Sequence, residues 1–87
     1  MLRIVRSGNG EVMFTISGRM QTEDIEQCQQ LLSAEAPGQA VTFDLRDVTL
    51  VNQDVVTFLA HCEHTGIRLE RCPLHVRNWL DQEKRRR

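Results

Sequence analysis

Several residues in the second half of the chain have side chains that bind metals or move protons. His61 and His64 stand at i and i+3, which places two imidazoles on one helix face, and Cys72 and His75 have the two-residue gap common among zinc ligands. A structural zinc site needs a complete tetrahedral shell. Cys62 points to the other side of its helix from His61 and His64, and no motif carries Cys72 and His75 to them. The histidines are therefore expected on a polar, solvated face, with no metal and no cofactor bound. Catalysis has no better footing. The sequence holds no glycine-rich phosphate loop, no nucleophile beside a base and no motif-placed pair of carboxylates, so the chain is expected not to be an enzyme. Cys28, Cys62 and Cys72 are odd in number and lack a framework spacing, and two of them fall on apolar helix faces, so free thiols are expected.

The polar residues that remain gather at one junction, and the segment 41–58, VTFDLRDVTLVNQDVVTF, has to position them. Val41, Phe43 and Leu45 alternate with Thr42 and Asp44, the period of a strand buried on at least one face. Arg46 and Asp47 are expected to interrupt it, with Val48, Thr49, Leu50 and Val51 forming a tight connection over the core. From Val55 the period changes. Val55, Phe58, Leu59 and Cys62 fall on one helix face, while Asp54, Thr57, His61 and His64 fall on the other. Asn52 or Asp54 suits the N-cap, since a short side-chain oxygen accepts from the free N–H groups of the first turn, and Gly66 supplies the stop.

The run DLRDVTLVNQDVVTFL resembles the centre of the STAS domain, the module shared by sulphate transporters and anti-sigma-factor antagonists. That family's pattern runs roughly Asp-Leu-Ser-x-Val-x-Phe-Ile-Asp-Ser-Ser-Gly-Leu. Asp44, Leu45, Val48 and the apolar pair Leu50 and Val51 follow it, and the next four positions, Asn52, Gln53, Asp54 and Val55, depart from it. The segment ISGRM is similar to a Leu-x-Gly-x-Leu stretch found early in the same domains.

The resemblance puts Asp54 at the position of the serine that the partner kinase phosphorylates in the bacterial antagonists. An aspartate has no hydroxyl to modify. It brings about one negative charge against roughly 1.5 to 2 for phosphoserine, so it imitates a modified site only in part. The plainer reading of Asp54 is a carboxylate favoured by the helix dipole. Val55 stands where the family has glycine and adds a branched side chain where a partner backbone would approach, and Thr57 is the nearest hydroxyl. In these terms the resemblance implies a non-catalytic interaction module of the anti-sigma-factor-antagonist kind, working by partner switching. Its partner would be an anti-sigma factor of the histidine-kinase-like ATPase type, met through Asn52, Gln53, Asp54, Val55 and Thr57. The alternative is a STAS subunit of a lipid or solute ABC transport complex, or a structural partner in a signalling assembly.

The flanking elements read more simply. Leu2 and Ile4, with Arg3 and Val5, predict a first strand, and Gly8-Asn9-Gly10 a hairpin turn into a second strand where Val12, Phe14 and Ile16 alternate with Met13, Thr15 and Ser17 up to Gly18. Thr22 is the expected N-cap of a helix over 23–35, whose stripe is Ile25, Cys28, Leu31 and Leu32 and whose end is Ala36-Pro37-Gly38. Ile67 and Leu69 predict a short strand, and Cys72-Pro73 opens a last helix with Val76, Trp79 and Leu80 inward. The order β-β-α-β-α-β-α predicts a single STAS-like α/β domain over 1–83, with a mixed sheet of about four strands and about three helices. A basic tail, Lys84, Arg85, Arg86 and Arg87, follows over 84–87. Four terminal cations on a chain of net charge −1 make a poor phosphate-binding footprint, so no nucleic acid is expected. No apolar run approaches the roughly 20 residues that span a bilayer, and the N-terminus lacks the apolar core of a signal peptide, so the cytoplasm is expected.

Overall fold

Alternation decides which way each strand faces. Val12, Phe14 and Ile16 on one strand and Val41, Phe43 and Leu45 on its neighbour are all buried, whereas Met13, Thr15 and Ser17 between them are only partly covered. The computed structural model describes residues 2–8 and 10–85, in the order β1 (Leu2–Ser7), β2 (Val12–Arg19), α1 (Thr22–Ser33), β3 (Val41–Leu50), α2 (Gln53–His64), β4 (Arg68–Glu70) and α3 (Leu74–Arg85). This is the expected succession of elements. The sheet order is β1-β2-β3-β4, with β1 antiparallel to β2 and the other two pairings parallel. α1 and α2 are the crossovers that parallel neighbours require. The β1–β2 hairpin forms as read, although Asn9 of its turn lies outside the described residues.

Core packing joins the layers. Phe14 and Phe43 are register partners on the buried sheet face, and their rings meet edge to face with centroids 6.0 Å apart. Onto that face the helices bring Cys28 from α1, Val55, Val56, Leu59, Ala60 and Cys62 from α2, and Val76 and Leu80 from α3. Fully burying one such aliphatic side chain is worth about 1.5–3 kcal/mol, so Val76 and Leu80 supply part of what docks α3, beside the partly buried Trp79.

One sequence expectation needs correction. Arg46 and Asp47 do not interrupt the strand, because β3 runs unbroken to Leu50. Thr15 pairs with Asp44 and Ser17 with Asp47, so Ile16 of β2 faces two residues of β3, the signature of a β-bulge. The Arg46 N–H, lifted out of the ladder, donates to Oδ1 of the buried Asp44 at 3.1 Å. Arg46 thus lies in the bulge with Leu45, Asp47 rejoins the ladder opposite Ser17, and both polar residues face solvent without ending the strand. Lys84 and Arg85 lie in the last turn of α3, and Arg86 and Arg87 lie outside the described residues. Lys84 forms an ion pair with Glu63 of α2.

Candidate functional site

Parallel strands that end level with each other start their following helices side by side. The Met20 N–H, just past β2, donates to the Leu50 carbonyl at the end of β3 at 2.9 Å, so α1 and α2 begin as neighbours at this edge of the sheet. Asn52 is the N-cap of α2, as one of the two expected residues, and its Oδ1 accepts from the Val55 N–H at 3.0 Å. α1 is not capped by Thr22. Gln21 holds that position, with the Asp24 carboxylate accepting from the Gln21 N–H at 2.9 Å, and Thr22 moves to the first helical residue.

That shift frees the Thr22 hydroxyl to bridge the two helix starts. Thr22 Oγ1 donates to Asp54 Oδ2 at 2.7 Å and accepts from Asn52 Nδ2 at 3.0 Å. Asn52, Thr22 and Asp54 form one network in which the Asp54 carboxylate is fixed but stays exposed in the first turn of α2. The helix dipole favours its charge there. Gln53 and Thr57 are exposed too, and they lean the other way, toward α3. Gln53 Nε2 donates to Glu83 Oε2 at 2.7 Å, Thr57 Oγ1 donates to Glu83 Oε1 at 3.4 Å, and Trp79 Nε1 donates to Gln53 Oε1 at 3.3 Å. A groove of about 350 Å³ lies farther along α2, lined by Ala60, Glu63, His64, Glu83 and Lys84.

Asn52, Gln53, Asp54 and Thr57 therefore share one polar surface. Val55 does not. Its side chain is fully buried in the core and so turns away from that surface. Thr22, Trp79 and Glu83 are members of the surface that sequence reading missed; each lies more than twenty residues from its α2 contact, and only tertiary folding joins them. His61 and His64 are exposed, and among the described residues no group of three or more His, Cys, Asp or Glu gathers closely enough to hold a metal ion. The cysteines are free. Burial, with Asp24 nearby, pushes the Cys28 thiol up to about 11, and burial, with Cys28 nearby, pushes the Cys62 thiol up to about 12. Burial also raises Cys72, against the opposing pull of Arg77.

No protein-family model and no curated protein matches the sequence. A solved structure does: an uncharacterized protein from the DUF3478 family with a SpoIIAA-like fold, from Shewanella loihica PV-4, superposes with a TM-score of 0.57 at 14% identity over 78% of this chain. The fold is SpoIIAA-like. The chain spans 64% of that protein's length, and at this identity the likeness is one of architecture. Among the described residues no helix is long and apolar enough to cross a membrane.

Proposed function

We propose that this SpoIIAA-like chain is a non-catalytic interaction module that docks a partner at the start of α2 through Asn52, Gln53, Asp54 and Thr57. The reading rests above all on Asp54, a carboxylate fixed by Thr22 at 2.7 Å yet exposed, at the position the STAS motif gives to a phosphorylated serine. Such a residue supplies a permanent negative charge where the family uses a removable one. Binding would then be set by abundance of the partner and not by modification of Asp54. The partner class in this reading is an anti-sigma factor of the histidine-kinase-like ATPase type, held in the cytoplasm.

Affinity capture from native lysate tests it, with the wild-type chain beside Asp54→Arg and both checked for equal helix content. The expected outcome is recovery of a kinase-like ATPase by the wild type and its loss with Asp54→Arg, since the change inverts a charge at the docking surface. Equal recovery by both baits would remove the start of α2 from the interface. Recovery of transport-complex subunits instead, lost in the same variant, would move the function to the transporter class.

A further inference from the structure

β1 closes one side of the sheet with a row of unmade backbone bonds. Its six residues pair with β2 without a register shift, from Leu2 opposite Gly18 to Ser7 opposite Met13, and among the described residues no strand pairs with its other edge. Edge strands are commonly blunted by brevity, a bulge, proline, lysine or a charge turned inward. The opposite edge follows that rule, since β4 has three residues. β1 does not. It has neither proline nor lysine, and its one charge on the helix side, Arg6, is neutralised by Glu35, whose two oxygens accept from the guanidinium at 2.9 and 3.0 Å. On the open face of the sheet Val5 stands 45% exposed.

The helix layer is unfinished on the same side. α1 buries one residue of its twelve, Cys28, against five for α2, and Ile25, Leu31 and Leu32 of its stripe are only partly covered. Arg6 and Glu35 tie the end of α1 to β1, so the bare strand edge and the half-covered helix belong to one side of the molecule.

We propose that this side is the contact for a second copy of the chain, made by antiparallel pairing of β1 with β1 about a two-fold axis at Val5. The strand is self-complementary in that register. Val5 meets Val5, Arg3 meets Ser7 and Ile4 meets Arg6, so no two like charges stand directly opposite. The two Arg6 side chains fall on a diagonal, each already held by its own Glu35. A shift by one residue sets Arg3 against Arg6, and Ile4 against Val5 from the other face of the strand. A shift by two sets Arg3 against Val5 and loses the apolar pair. Residues directly opposite share a face. Pairing at Val5 therefore joins two four-stranded sheets into one of eight, with the helices of both copies on the same side and their α1 stripes turned toward each other.

Sedimentation of the full chain over a range of concentrations reads this contact without any partner at α2. The wild type is expected to dimerise. Val5→Lys sets two cations opposite each other and removes the apolar pair, which should weaken association roughly tenfold at unchanged helix content. Val5→Glu should do the same, and an equal mixture of the two variants should dimerise at least as well as the wild type. Cross-linking tells edge pairing from stacking of the two open sheet faces. In a Cys72→Ser background, oxidised glutathione should link Val5→Cys to its counterpart, two thiols being oxidised as the glutathione disulfide is reduced. Residues opposite each other in a ladder lie about 4.5–5.5 Å apart, within reach of a disulfide, whereas stacked sheets lie about 10 Å apart. Arg3→Cys is out of register with its own counterpart and should stay unlinked. Asp54→Arg should dimerise normally, which keeps failure of the docking reading and failure of this one as separate results. The proposal is overturned by a wild-type chain that stays monomeric at its highest soluble concentration, by an undiminished dimer in Val5→Lys, or by mixed variants that do not associate. Linking of Val5→Cys no faster than Arg3→Cys, or loss of the dimer in Asp54→Arg, would overturn it as well.

Discussion

Asn52 performs two tasks with one amide. Its oxygen satisfies the Val55 N–H, one of the donors a helix start leaves free, and its nitrogen secures Thr22, which in turn secures Asp54. Asn52→Ala removes both, and the lost cap alone is expected to cost about 1 kcal/mol in urea denaturation. Asn52→Asp separates the tasks: it keeps the cap acceptor, loses the donor to Thr22 and adds a carboxylate beside Asp54. It should fall below wild type even though aspartate caps as well as asparagine. Wild-type stability in Asn52→Asp would mean that the Thr22 bridge contributes nothing. Val55 teaches a related point about reading residues. Its spacing to Phe58, Leu59 and Cys62 already placed it on the apolar face, while the family alignment placed it at the docking surface, and the structure follows the spacing. Local periodicity reports burial directly, whereas a motif says only which positions correspond and leaves burial to the fold.

At the scale of elements, most of the architecture was legible because strand and helix periods are local properties of the chain. The bulge in β3 was not. Arg46 and Asp47 look like a strand end in sequence, and only the offset pairing with β2, together with the Asp44 carboxylate that satisfies the displaced N–H, explains why the strand continues. The meeting of Thr22 with Asp54 was equally invisible, since it follows from where two parallel strands end. Helix termination was legible. Gly66 follows α2 with φ of +107°, outside the range that L side chains adopt readily, and no atom lies within 4 Å of where its Cβ would stand. Gly66→Ala should therefore cost backbone strain alone, about 1–2 kcal/mol in thermal or chemical denaturation. Gly8 is the contrasting case. It also has positive φ, and a Cβ there would sit 2.0 Å from the Glu11 carbonyl oxygen, so Gly8→Ala should destabilise more than Gly66→Ala. The reverse order would show that the hairpin shifts freely to make room.

For the whole molecule, the core contains a chemical clock on unfolding. Cys28 in α1 and Cys62 in α2 are buried as thiols, and desolvation of the thiolate raises them from an ordinary value of 9.0 to about 11 and about 12. Thiol reagents at neutral pH should accordingly label Cys72, which is only partly buried, well before the other two, and mass spectrometry of digested samples would show the order. The same displacement sets the direction of alkaline stability. Above pH 9 the unfolded chain releases these protons while the folded chain keeps them, so the unfolded state binds fewer protons and stability falls as pH rises. The contribution is complete below pH 9 and is lost progressively up to about 11 for Cys28 and about 12 for Cys62. The sequence has no tyrosine to titrate in that window, which leaves the thiols as the groups to test. Replacing Cys28 and Cys62 together by valine keeps the core apolar and removes both thiols. The double variant should show a flatter fall of urea-midpoint between pH 9 and 11 than wild type. An unaltered slope would show that the two buried thiols do not set the alkaline loss, and would overturn the link drawn between their burial and the stability of the core.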